Sequence, residues 1–152
     1  MTAGLPALSE TERAAVIEQL ATSRHGFGLA DAAESPLEAH RRSPTCGDEF
    51  TVRVRVVDDT ISSLHWEGHG CVVSTAAASA LAELAPGLSA AEFAALAARY
   101  FEAVQVDGMP EAAFGDAEVF AGIGRYPLRA GCASLSWRAA LAALGPLAIR
   151  RS

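Results

Sequence analysis

Three cysteines and one aspartate are the residues of this chain whose types and settings point to chemistry: Cys46, Asp48, Cys71 and Cys132. Cys46 stands in SPTCGDEF, where Pro44 fixes the approach and Gly47 permits a tight turn, so that Asp48 can point the same way as Cys46. Cys71 stands in EGHGCVVS, at the start of a run of small residues that reads as a helix, where the free N–H groups of a helix mouth favour a thiolate. Cys132 stands early in the last helical segment, with Arg129 just before it. Three thiolates and a carboxylate supply the four ligands that tetrahedral zinc takes. The alternatives are plain ones: a cysteine serves as a small buried apolar residue, an aspartate as a turn or cap residue, and His69 as either a ligand or an exposed loop histidine. All three cysteines fall at boundaries between elements, which favours a site.

The elements must then bring these residues together. FTVRVRVV alternates Phe50, Val52, Val54 and Val56 with Thr51, Arg53 and Arg55, the pattern of a half-buried strand. Asp58 and Asp59 supply a tight turn, and Ile61–Trp66 returns as the partner strand. A hairpin of near-equal arms sets residues 46–48 beside residues 67–71. A further short edge strand is expected near Leu37–Arg42.

Helices account for the rest. Ser9 and Glu12 form a capping box before a first helix whose packed face is Ala14, Ile17, Leu20 and Ala21, with Gly26 and Gly28 ending it. Val73, Ala76, Ala77, Ala80, Leu81 and Leu84 recur at helical spacing after Cys71, and Pro86–Gly87 stop that helix. Ser89 and Glu92 open another, carrying Phe93, Leu96, Tyr100 and Val104. Residues 106–116 read as a loop, residues 116–127 as holding a short helix, and residues 128–145 as the last helix, closed by Gly145 and Pro146. Strands followed by helices predict an α+β fold, a small three-stranded antiparallel sheet with helices on one face, in one domain over residues 1–152 with its core at about 8–144.

Composition narrows the class. Apolar residues are 51% and charged residues 20% of 152, a globular balance, and the net charge of −6 argues against nucleic acid as a partner. The 12 cations are all arginine. No apolar run has the length of a membrane span, and the N-terminus lacks a basic segment followed by an apolar one, so a cytoplasmic protein is expected. An odd number of cysteines in a reducing compartment argues against a disulfide framework. No phosphate-binding glycine loop, dinucleotide fingerprint or G-x-S-x-G occurs, and a Cys71–His69 dyad lacks an orienting partner.

PTCGD at 44–48, GHGCVVSTAAAS at 68–79 and RYPLRAGCASLSW at 125–137 resemble, in order and spacing, the three cysteine motifs of the U-type iron–sulfur cluster assembly proteins, the IscU/NifU N-terminal family. The resemblance covers about residues 8–144. Within the family it is the SufU branch that the chain is similar to. The interval between Cys71 and Cys132 is longer than in the IscU branch, and Gly131 stands where IscU-type proteins carry a histidine ligand. Ser43, Ala78 and the segment SRHGFGLADA depart from the family pattern, and none of them is a ligand.

The resemblance implies that Cys46, Asp48, Cys71 and Cys132 hold zinc, with His69 the lesser candidate and Arg129 offsetting the negative charge of the site. It implies that Cys46 accepts persulfide sulfur from a SufS-like cysteine desulfurase once a partner histidine displaces it from zinc, and that downstream cluster assembly proteins are further partners. Two other readings use the same residues: a scaffold that builds and hands on a transient [2Fe–2S] cluster, and a protein-binding domain whose zinc is structural.

Overall fold

The structure, a computed structural model, describes residues 8–29, 37–44 and 47–150. Helix α1 (Glu10–Ser23) precedes strands β1 (Leu37–Arg42), β2 (Glu49–Val57) and β3 (Thr60–His69), which are followed by α2 (Val72–Leu84), α3 (Ala90–Ala103) and α4 (Arg129–Arg150). Two 3-10 segments, Ala112–Phe120 and Ile123–Arg125, join α3 to α4.

The sheet is antiparallel in the order β1-β2-β3, with Ala39 opposite Val52 and Val52 opposite Trp66. Asp58 and Asp59 both adopt positive φ, +52° and +66°, which matches the handed twist of a two-residue hairpin turn. Phe50, Val52 and Val54 of β2 share the buried face with Leu64 and Trp66 of β3. The alternation slips once. The register shifts between Arg55 and Val56, which leaves Ser62 as an extra residue, so that Ile61 and Leu64, three apart, both face the core.

Helix α4 packs across β1 and β2, α2 lies beside β3, and α1 and α3 pack on α2 and α4 respectively. Small side chains make this layering close: Ala76, Ala77, Ala78 and Ser79 of α2 are all fully buried. Trp137 of α4 stacks on Tyr100 of α3 with ring centroids 3.7 Å apart and planes within 11°. The opposite sheet face, with Glu38, His40, Arg55 and His65, is polar and largely exposed.

Four expectations need correction. Ala14 is exposed, and α1 packs instead through Val16, Ile17, Leu20 and Ala21, while the Arg13 guanidinium donates to the carbonyls of Val119 and Ala121 at 3.3 and 2.6 Å. Helix α1 also ends earlier than the glycines suggest, capped by Arg24 in the left-handed region. Residues 25–28 then run along β3, where Trp66 N–H donates to Gly26 O and Gly28 N–H to Trp66 O. Most distinctly, α4 runs through Gly145 and Pro146 to Arg150. Proline removes one helical donor, yet its fixed φ is helical, and Leu144 and Leu147 on either side pack into the core and hold the turn. The expected loop is also shorter, since 3-10 structure begins at Ala112.

Candidate metal centre

The hairpin register sets the geometry. Glu49 pairs with His69, so Asp48, just before β2, comes level with Gly70, just after β3. Ser43 N–H donates to the Asp48 carbonyl at 2.8 Å and closes the β1–β2 loop, in which Gly47 takes φ +77°, a conformation that side-chain-bearing residues rarely adopt. Cys71 is the N-cap of α2, and Cys132 lies in the first turn of α4.

A carboxylate oxygen of Asp48 and the sulfurs of Cys71 and Cys132 lie within 4.8 Å of one another. That is the spacing of donors around one small ion. Gly70 leaves the room: a Cβ there would sit 2.8 Å from Asp48 Cγ. Cys71 is exposed and Cys132 is buried, so the centre opens on the side of α2's first residue. Val72 and Leu128, both exposed, follow Cys71 and precede α4.

Asp48 is buried, and a buried carboxylate requires donors. Ser74 Oγ donates to Asp48 Oδ2 at 2.6 Å, and the Cys71 N–H donates to the same oxygen at 3.3 Å. The Cys71 sulfur accepts from the Ser74 N–H at 3.5 Å and lies 3.4 Å from Ser74 Oγ. On the Cys132 side, the buried Tyr100 hydroxyl donates to the carbonyl of Ala133 at 2.8 Å and pins the start of α4 to α3. Desolvation holds the Tyr100 hydroxyl well above the usual tyrosine range, so it remains a donor.

The structure therefore brings Asp48, Cys71 and Cys132 together. Cys46 lies outside the described residues. His69 Nε2 is instead 3.2 Å from Glu49 Oε2, while His40 Nε2 is 3.1 Å from Glu49 Oε1 and His40 Nδ1 2.8 Å from Thr51 Oγ1. The Arg129 guanidinium lies 5.1 Å from the centroid of the exposed Tyr126 ring. Ser74 stands three residues after the Cys71 N-cap, a place that sequence alone marks as facing the cap. The Glu49–His40 pairing was not readable, because it depends on strand register.

The donor set fits a thiolate-binding divalent metal such as zinc, for which sulfur and carboxylate ligands are both ordinary. Comparison with known proteins agrees with this setting. The family model of the NifU-like N-terminal domain matches residues 11–133. A Streptococcus pyogenes protein named iron–sulfur cluster assembly scaffold protein IscU is 33% identical over 126 residues, 82% of this chain and 77% of that protein. The zinc-dependent sulfurtransferase SufU of Bacillus subtilis is 29% identical over 98 residues, 64% of this chain and 67% of that protein. The crystal structure of a nitrogen-fixing NifU-like protein, N-terminal part, from Brucella abortus superposes with a TM-score of 0.76 at 22% identity, over 90% of this chain and 94% of that one, which shows a shared fold. Among the described residues no helix is long and apolar enough to cross a membrane.

Proposed function

The chain belongs to the NifU-like N-terminal domain family, and from that premise we propose that it is a single-domain iron–sulfur cluster assembly protein that binds zinc and accepts sulfur from a cysteine desulfurase. The observation that carries the reading is the convergence of Asp48, Cys71 and Cys132 at an exposed helix mouth. Cys46, two residues before Asp48 in the chain, is the fourth donor and the sulfur acceptor. Bound zinc keeps the cysteines deprotonated at neutral pH and shields them until a partner engages the site. The resemblance to a zinc-dependent sulfurtransferase and the presence of Asp48 among the converging donors support this assignment.

In the transfer step the Cys46 thiolate attacks the terminal sulfur of the desulfurase cysteine persulfide. A new S–S bond forms on Cys46, the S–S bond on the desulfurase breaks, and the desulfurase cysteine leaves as a thiolate. There is no net change of oxidation state, and no external reductant is needed. The hydrogen bonds of Asp48 and Cys71 to Ser74 do not involve Cys46.

The test combines the purified protein with a cysteine desulfurase and cysteine and follows persulfide by intact-protein mass. The reading expects one added sulfur on Cys46, faster turnover of the desulfurase, and loss of both in Cys46→Ser with the fold intact. No added sulfur and no change in turnover overturn it.

A second reading, assembly of a transferable [2Fe–2S] cluster on the same residues, draws support from the relative named as a scaffold protein. Anaerobic reconstitution separates the two. A stable cluster passed to an acceptor favours the scaffold, and retention of zinc favours the sulfur acceptor.

A further inference from the structure

Resting on the reading that Asp48 and Cys71 are metal ligands, we propose that Ser74 is the positioning residue of the centre, holding both donors in place through a helix cap shared between two elements.

Helices α1 and α3 begin alike. A serine at the N-cap accepts from the N–H of the third residue, and that residue, Glu12 or Glu92, reaches back to the N–H of the cap. Helix α2 has the same frame with the parts exchanged. Cys71 is the cap, and its sulfur accepts from the Ser74 N–H. Ser74 is too short to reach back to the cap N–H. The carboxylate that fills the role comes from Asp48, in the loop before β2, and accepts the Cys71 N–H through Oδ2.

Ser74 spends its own hydroxyl on the same oxygen at 2.6 Å, the shortest of these bonds and a charge-assisted one. Two donors therefore converge on Oδ2 and fix the orientation of the carboxylate. Ser74 is 1% exposed, so its contacts are made against buried surroundings and not against water. One residue thus fixes a carboxylate by its side chain and a thiol sulfur by its backbone. The groups that complete the helix end are the groups that would face a metal.

Outer partners of metal ligands typically contribute about 10–100-fold in affinity. The experiment uses untagged, metal-free full chain and cobalt(II) as the probe, with affinity read by chelator competition and geometry by the visible d–d and thiolate bands. Ser74→Ala is expected to weaken cobalt binding by about 10–100-fold and to shift the d–d bands. In an Asp48→Ala background the same substitution is expected to cost clearly less than in the parent, since the hydroxyl has lost the carboxylate it holds while the Ser74 N–H to the Cys71 sulfur is unchanged. A role confined to helix capping or packing predicts lower thermal stability of the metal-free protein with cobalt affinity within about twofold of the parent, and that result overturns the proposal. So does an equal loss in both backgrounds.

Ser74→Thr and Ser74→Val give a second comparison, nearly equal in shape and differing in the hydroxyl. The proposal requires threonine to bind cobalt more tightly than valine. Failure of the underlying reading looks different: Asp48→Ala and Cys71→Ala would then bind cobalt as the parent does, whatever residue stands at 74.

Discussion

Gly70 and Asp48 occupy one space between them: a Cβ on Gly70 would lie 2.8 Å from both Cγ and Oδ2 of the aspartate. The contact is with a side chain held by two hydrogen bonds, so the carboxylate cannot yield without giving up Ser74 or the Cys71 N–H. Gly70→Ala is therefore expected to lower the stability of the metal-free protein by about 1–3 kcal/mol, the usual cost of overpacking. It should also weaken zinc binding. Chemical denaturation and metal competition on the same sample check both effects.

Cys71 and Cys132 differ in access. Cys71 is exposed at the mouth of α2 and Cys132 is buried in the first turn of α4. In metal-free protein, iodoacetamide followed by peptide mass analysis should find Cys71 alkylated before Cys132. Denaturant should remove the difference. Zinc added first should slow the labelling of Cys71 if it is a ligand.

Tyr100 gives a pH signature. Burial raises its folded-state pKa above the unfolded value, and the neutral hydroxyl bonds Ala133 O. The stability linked to this group is therefore fully present below the unfolded tyrosine pKa of about 10 and is lost as pH rises beyond it. In a Tyr126→Phe background, ultraviolet titration should show no tyrosinate until the protein unfolds at alkaline pH. Tyr100→Phe should flatten the alkaline decline and cost about 0.5–1.5 kcal/mol at neutral pH.

Gly145 lies inside α4, and a Cβ there would meet nothing within 4 Å. Gly145→Ala should raise stability by about 0.5–1 kcal/mol in thermal or urea unfolding, with metal affinity unchanged. If α4 instead broke at this point, alanine would bring no gain.

Local signals gave the elements well. The two serine–glutamate boxes at Ser9 and Ser89 marked true helix starts. The alternation from Phe50 to Val56 and the turn at Asp58–Asp59 marked the hairpin, which in turn predicted that Asp48 would meet Cys71. What could not be read depends on distant packing. Pro146 breaks a helix by its own preference, while Leu144 and Leu147 on either side of it pack against the core. Ala14 suits the periodic face of α1 yet is exposed, because that helix meets the core through Val16, Ile17, Leu20 and Ala21. Ser74 looked like one small residue among many, because its importance lies in a carboxylate 26 residues away in the chain.

The Asp58–Asp59 turn stands at the far end of the hairpin from the cysteines, yet it sets where they come to rest. The extra residue at Ser62 and the two residues of the turn fix the count by which Glu49 meets His69. A slip of one residue would turn β3 over and carry Gly70 away from Asp48. The meeting of Asp48 with Cys71 is thus a readout of strand alignment: a chain that has paired these strands one residue out no longer gathers the donor cluster at the other end of the hairpin.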